Sequence, residues 1–345
     1  MQIKKIVLQR QNIPLNKVFR TALRETKVVS EILVTLETDT GHKGHGSACS
    51  CVAITGETLA SIEEAILTKI YPAIVDMDLE YPNRIFHAIQ TSIAHNPVAK
   101  AAVDIAVYDL WSQQVQRPLH KLLGGFHTTL QTDLTLSLDS IDKMVHEAHN
   151  AVQQGFTILK LKVGDTPELD IQRVQEIRKA IGDSIQLRLD ANQAWTPREA
   201  VQILRKLSLC NIELVEQPVI AYDFSGLAYV KNNTDIPIMA DESIFNVQDA
   251  LRLVAHQTVD YLNIKLLKCG GISQALKIAH IAESYNIPCM MGCMMEGPTS
   301  LAAAIQFAAS QRIITKYDLD CPLFWENTQT MQNIVCHGPN IEIVQ

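Results

Sequence analysis

Five charged residues of this 345-residue chain recur at an almost even interval: Lys162, Asp190, Glu216, Asp241 and Lys265 are separated by 28, 26, 25 and 24 residues. Such an interval is the length of one strand, one helix and two short connections. The spacing therefore points to repeated βα units that each carry a polar group at the same place. The local pattern agrees, because from about residue 119 short β-rich runs alternate with amphipathic helical stretches. The runs read as Asp133–Leu138, Ile158–Val163, Gln186–Asp190, Ile212–Glu216, Ile238–Asp241, Tyr261–Lys265, Cys289–Gly292 and Ile314–Leu319. Eight evenly spaced runs favour an α/β fold closed as a barrel over a doubly wound sheet. Closure gathers the carboxyl ends of the strands round one mouth, so groups a full unit apart in sequence become neighbours in space.

The first part of the chain follows a different rule. An alternating start, MQIKKIVLQRQNIPL, then Val28–Thr38, a Gly-rich turn and Gly46–Val52 read as strands, followed by helices at Glu57–Ile70, Pro82–Ile89 and Pro97–Gln114. Residues 1–118 are thus expected to form an α+β domain and residues 119–321 the barrel, with 322–345 returning to the first domain. A net charge of −7 with dispersed Lys and Arg offers no basic face, which argues against nucleic acid and anionic membranes as partners. No run approaches the roughly 18 apolar residues of a spanning helix, and no signal peptide is apparent, so a cytoplasmic protein is expected. The eight cysteines sit mostly in apolar segments and read as reduced thiols. His42, His45, Cys49 and Cys51 have zinc-type donors in a short span, but the alternation and Gly41, Gly44 and Gly46 favour a β-hairpin.

The chemistry follows from what the barrel would bring together. One acid after a strand is commonly a helix cap. Three in consecutive units, Asp190, Glu216 and Asp241, supply hard oxygen donors suited to one Mg²⁺ per subunit, with positions left for substrate oxygens. A carboxylate bound there has a more acidic α-carbon, and its enediolate is stabilised as it forms. In Lys160-Leu161-Lys162 two amines share one face of a strand. Lys162, nearer the strand end, is the candidate base, its pKa expected to be lowered by burial and by Lys160. Lys160 would also contact the substrate carboxylate. Lys265 stands four units further round the ring, so two bases would face one carbon from opposite sides, as epimerisation or racemisation requires. Lys268, in LKCGG, is expected in solvent or in the following loop.

Taken together, Lys160-Leu161-Lys162, Asp190-Ala191-Asn192-Gln193, Glu216-Gln217-Pro218, Ala240-Asp241-Glu242-Ser243 and Asn263-Ile264-Lys265 resemble the enolase superfamily, muconate-lactonizing-enzyme subgroup, over nearly the whole chain. The resemblance implies a modified TIM barrel, (β/α)7β, with an N-terminal α+β capping domain whose loop near 16–26 closes over the mouth and selects the substrate. Sites of this superfamily pair a Lys or His base with Mg²⁺. Asp318-Leu319-Asp320 looks like the Asp-x-Asp motif with which dipeptide epimerases hold a substrate α-ammonium, and two acids on one face do need a cation. Arg24 resembles the arginine that binds the distal glutamate carboxylate in L-Ala-D/L-Glu epimerases, and Thr135, Met294 and Glu296 are expected in the pocket wall. What the resemblance implies is a Mg²⁺-dependent dipeptide epimerase, a homo-oligomer acting on L-Ala-L-Glu in cell-wall peptide recycling. The alternative is an o-succinylbenzoate synthase, N-succinylamino acid racemase or cycloisomerase of the same subgroup. Ser47 departs from the pattern, standing where relatives often carry Glu.

Overall fold

The computed structural model describes residues 1–344. Strands β1 (Ile3–Arg20), β2 (Glu25–Thr38) and β3 (Lys43–Cys49) form an antiparallel sheet in that order. Ile32, Val34 and Leu36 of β2 alternate inward and are fully buried, as a half-covered strand dictates. The Pro97–Gln114 helix lies across this sheet, and its Ala-rich sequence lets it approach closely. A Cβ at Gly44 or Gly46 would run into the carbonyl oxygens of Ala106 and Ala102, so β3 needs glycine where the helix backbone crosses it. The helix begins on the buried Glu57 carboxylate, which accepts from Val98 N–H at 2.9 Å and Ala99 N–H at 3.2 Å.

The expected hairpin exists, but its second strand ends at Cys49. Residues Val52–Thr55 form a helical turn closed by a left-handed Gly56, because the Cys51 carbonyl takes the Ile54 and Thr55 N–H groups. His42 and His45 are exposed and bond Thr40 and Thr35, whereas Cys49 and Cys51 are buried. These four residues form no metal-type cluster among the described residues. The region expected as a loop over 16–26 is mostly strand. β1 runs to Arg20 and β2 starts at Glu25, leaving a hairpin tip of Thr21–Arg24 tied by Thr21 N–H to the Arg24 carbonyl, 2.9 Å.

A short strand, β4 (Thr129–Gln131), leads into the barrel. Its eight parallel strands are β5 (Leu134–Leu136), β6 (Ile158–Lys162), β7 (Gln186–Asp190), β8 (Ile212–Glu216), β9 (Ile238–Ala240), β10 (Tyr261–Ile264), β11 (Cys289–Gly292) and β12 (Ile314–Asp318), paired in chain order. Asp133 N–H reaches the Tyr317 carbonyl at 3.2 Å, and Leu319 N–H reaches Thr132 Oγ1 at 2.8 Å, drawing the first and last strands together. A principal helix follows each of the first seven strands, so the barrel is (β/α)7β. Thr166, Thr196 and Asn246 cap three of these helices, with Thr196 and Glu199 capping reciprocally. Several strands stop one or two residues before their expected ends. Asp241 and Lys265, for instance, leave the ladder and turn toward the mouth.

Two barrel helices begin on side chains of the N-terminal domain. Asp104 accepts from Ser273 N–H (3.2 Å) at the start of Ile272–Ser284. Glu31 accepts from Gly297 N–H (3.1 Å), and Ser47 Oγ from Ser300 N–H (3.2 Å), at the start of Pro298–Ser310. After β12 the chain meets β1, with Asn16 N–H on the Phe324 carbonyl and Glu326 N–H on the Pro14 carbonyl. Strands β13 (Ile334–His337) and β14 (Asn340–Ile343) then pair antiparallel, and β14 adds to β4.

Candidate active site

The evenly spaced charges converge on the barrel mouth. Lys160 and Lys162 leave the same face of β6, Asp190 and Glu216 end β7 and β8, Asp241 and Lys265 directly follow β9 and β10, and Asp318 ends β12. Lys160 Nζ lies 2.6 Å from Asp318 Oδ2, 2.6 Å from Glu216 Oε2 and 3.1 Å from Asp190 Oδ2. Lys162 Nζ meets Asp190 Oδ2 at 2.6 Å, and Lys265 Nζ meets Asp241 Oδ2 at 2.9 Å. Asp190 and Glu216 are fully buried, and Asn263 Nδ2 donates to Glu216 Oε1 at 2.8 Å.

The structure overturns the expectation for Lys268. It is 1% exposed, and its ammonium sits on both the Asp241 carbonyl and Asp241 Oδ1. The cause is local: Leu266–Cys269 coils into one helical turn that brings Lys268 back beneath Asp241. Asn192 and Glu242 were also missed. Asn192 Nδ2 donates to Glu242 Oε1 at 3.0 Å, and both face the mouth. They follow Asp190 and Asp241 closely in sequence, and that adjacency was the signal available.

Electrostatics divides these groups. Burial pushes Asp190 and Asp241 up, but adjacent lysines outweigh it and hold both below the ordinary carboxylate range. Glu216 is pushed up to about 7 by burial and by Asp190, and Glu242 to about 8 by burial and by Asp241. Lys265 is shifted upward. Burial lowers its pKa, yet the Asp241 and Glu216 charges raise it above the usual lysine range, so it is held as an ammonium. Lys160 is raised likewise by Asp318, Glu216 and Asp190 against the effect of burial.

A divalent cation fits this chemistry. Three buried carboxylates from adjacent strand ends present only oxygen, the donor type Mg²⁺ requires. Glu216 is raised by burial first and then by Asp190 and Asp241, so three acids share one buried place where a cation would relieve their mutual repulsion. The triad oxygens are spread, with the Lys160 ammonium touching both Asp190 and Glu216. Among the described residues, the group of three metal-type side chains with donors within 4.8 Å of one another is a different one, Cys293, Asp318 and Asp320.

Above this floor is an open recess. Lys162, Asp241 and Lys265 face it from below, Thr135, Met294, Asp318 and Asp320 from the sides, and Phe19, Thr21, Arg24 and Ile54 from the N-terminal domain. Lys162 Nζ stands 5.9 Å from the centre of the Phe19 ring, a cation–π contact between the two domains. Arg24 is half-buried at the hairpin tip and, among the described residues, has no carboxylate in salt-bridge contact. Asp320 accepts from Thr135 N–H at 2.7 Å, and burial together with Asp318 pushes it up to about 6. Asp318 is held at about 2, because Lys160 and Lys265 overcome burial. Two residues expected in the pocket lie behind its wall. Lys160 sits beneath the carboxylates, and Glu296 folds back to accept from Met294 N–H at 2.8 Å. Cys293 and Cys321 line the recess with Sγ atoms 3.2 Å apart, and no sequence pattern had paired them.

Comparison with known proteins gives this geometry a context. The chain is 46% identical to the L-Ala-D/L-Glu epimerase of Clostridium acetobutylicum, over all of this chain and 97% of that one. A substrate-liganded structure of the L-Ala-D/L-Glu epimerase from Bacillus subtilis superposes with a TM-score of 0.97 at 43% identity, covering 99% of this chain and 96% of that one. The dipeptide epimerase from Enterococcus faecalis, complexed with Mg and the dipeptide L-Leu-L-Tyr, gives 0.96 at 43% identity, covering 99% and 97%. Family models match on both sides of the domain boundary. Residues 3–124 fit the mandelate racemase / muconate lactonizing enzyme N-terminal domain and residues 143–343 the enolase C-terminal domain-like family, so the chain belongs to the mandelate racemase / muconate lactonizing enzyme group of the enolase superfamily.

Proposed function

We propose that this chain is a Mg²⁺-dependent dipeptide epimerase that inverts the α-carbon of the C-terminal residue, with L-Ala-L-Glu and L-Ala-D-Glu as the leading pair. The observation that carries the reading is the placement of Lys162 and Lys265 on opposite parts of one recess, each against a carboxylate of the Asp190–Glu216–Asp241 triad. The triad would hold one Mg²⁺ per subunit. When bound, the ion supplies Lewis-acid stabilisation of the charge that develops on the substrate carboxylate as the α-proton leaves.

The chain's own groups do the rest. One lysine takes the α-proton from its face and the other, as ammonium, returns a proton to the opposite face, so the two exchange roles with direction. Lys265 faces the recess from beside Asp241, placed as donor for one epimer. Lys160 and Lys268 hold carboxylates in place instead of touching substrate. Asp320 and Asp318 receive the α-ammonium, and the Arg24 guanidinium receives the side-chain carboxylate of a C-terminal glutamate. A hydrophobic dipeptide is the second reading, favoured by Phe19, Ile54, Met294 and Met295 in the lining.

Residues 1–118 act in this reading as the substrate-selecting cap and 119–321 as the catalytic barrel. A reducing cytoplasm suits a chain whose eight cysteines are all free, and an Ala-Glu substrate suits cell-wall peptide recycling. No helix of the described residues is long and apolar enough to cross a membrane. The test is incubation of L-Ala-L-Glu and, separately, L-Leu-L-Tyr with the Mg²⁺-loaded protein in D₂O. One deuterium should enter the α-position of the C-terminal residue, faster for L-Ala-L-Glu, and no deuterium in either dipeptide would overturn the reading. Asp318→Asn with Asp320→Asn separates it from the ammonium-free substrates of o-succinylbenzoate synthases and cycloisomerases, which should lose little activity.

A further inference from the structure

The wall beside Asp318 and Asp320 contains sulfur that the proposed reaction does not use. Cys293 follows β11, Cys321 follows Asp320, and their Sγ atoms are 3.2 Å apart although both are free thiols. Cys293 Sγ and one oxygen from each of the two aspartates fall within 4.8 Å of one another, a group that Cys321 Sγ, now turned to the Met294 carbonyl, joins by rotation of its side chain. All four residues line the same recess, and Cys293 is partly exposed there, so a small ion has a path in. We propose that Cys293, Cys321, Asp318 and Asp320 form a second cation site, selective for a borderline-soft ion of the Zn²⁺ type, whose occupation excludes the dipeptide.

The donor set makes the distinction. Mg²⁺ takes oxygen, whereas two thiolates with carboxylate oxygens suit Zn²⁺ or Cd²⁺. A tetrahedral zinc with Zn–S near 2.3 Å holds its sulfurs about 3.8 Å apart, so the thiols need part by only about half an ångström. Free coordination positions exist. Asp320 uses Oδ2 on the Thr135 N–H, and among the described residues no lysine or arginine lies in salt-bridge contact with it. Asp318 gives Oδ2 to Lys160, while its Oδ1 has Thr135 Oγ1 at the outer limit of hydrogen bonding, 3.5 Å. The Cys321 thiol is turned to the Met294 carbonyl at 2.9 Å, a weak partner that it gives up on deprotonation. Capture releases both thiol protons to solvent: M²⁺ and two R–SH give M(SR)₂ and two H⁺. Lys160, Lys162 and Lys265 stand nearby as opposing charge, which two thiolates and two carboxylates outweigh.

Exclusion of the dipeptide rests on the reading that Asp318 and Asp320 receive its ammonium, but ion binding does not. The experiment uses the reduced, Mg²⁺-saturated protein, titrated with Cd²⁺ by ultraviolet absorbance and with Zn²⁺ by calorimetry. One equivalent should bind with a thiolate-to-metal band and release two protons. C293S and C321S should each cut the band by about half and weaken Zn²⁺ roughly a hundredfold, the double variant should lose the band, and D320N should weaken Zn²⁺ roughly tenfold, while C210S and C336S bind as the parent does. Added L-Ala-L-Glu should weaken Cd²⁺ binding. Three results would overturn the site: no thiolate band at one equivalent, a band that survives in the C293S/C321S double variant, or bandless binding that Mg²⁺ competes away, which places the ion in the oxygen triad. A band that L-Ala-L-Glu leaves unchanged overturns the exclusion while the site itself stands. Melting curves confirm that each variant is folded, and D320N, which keeps both sulfurs, separates loss of a donor from loss of the fold.

Discussion

The floor of the recess and its rim are built by opposite means. Below, Asp190 and Glu216 are fully buried at the ends of adjacent parallel strands, and lysines or amides bind them on several sides. Above, Thr21–Arg24 is the tip of a hairpin, half-exposed and held by its own turn hydrogen bonds. A group on a strand end with three partners has one position. A group on a hairpin tip can be exchanged without disturbing anything beneath it. In the proposed reading, reaction type would reside in the floor and substrate choice in the rim.

Removal of a proton-transfer group should break this division most severely. Lys162→Ala or Lys265→Ala should reduce α-proton exchange by about 10²- to 10⁴-fold for every dipeptide, measured by deuterium uptake. A loss confined to one dipeptide would show that the lysine selects substrate. Glu216→Gln should weaken Mg²⁺ roughly 10- to 100-fold by calorimetry. Chelation should likewise lower the melting temperature of the parent, because an ion at a hundred times its Kd contributes about 2.7 kcal/mol to the folded state. Arg24→Ala should act on the rim alone, raising KM for L-Ala-L-Glu about tenfold while leaving L-Leu-L-Tyr nearly unchanged, the scale of one charged hydrogen bond. An equal loss for both dipeptides would erase the distinction between floor and rim.

The smallest effect tests the joint between the domains. Asp104 is pushed from its ordinary 3.8 to about 7, chiefly by burial, so the folded protein binds a proton there that the unfolded chain releases. Its contribution is fully present below about pH 4 and declines as pH rises toward 7. Asp104→Asn should flatten the dependence of denaturation midpoint on pH across that interval, and an unchanged slope would assign it to other groups.

How much of this was legible depended on whether one strand or several had to be known. Lys162, Asp190, Glu216, Asp241 and Lys265 each end a βα unit, so a constant interval exposed the barrel and its mouth together. The direction of a side chain within a turn leaves no such trace. Lys268 lies three residues after Lys265, and only the helical turn between them buries it under Asp241. Cys293 and Cys321 sit in different units and resemble ordinary core thiols until β11 and β12 pair. The charge state of Lys265 leaves no trace in the sequence for a related reason: burial alone lowers a lysine, but the sign depends on carboxylates whose distances only the closed ring supplies. Glu296 sits close to the mouth in sequence, yet one backbone N–H turns it away.

The borrowed helix starts have a practical meaning for anyone recombining such proteins. Glu31, Ser47 and Asp104 belong to the domain whose hairpin tip lines the recess, yet they begin two helices of the barrel. An exchange of the whole domain with a relative, made to import a new preference, would also exchange these three anchors and leave the barrel helices without partners unless the donor matched them. If the proposed role of Arg24 holds, grafting Thr21–Arg24 alone should move the preference and keep the anchors, which would make the hairpin tip the transferable unit and the domain a poor cassette.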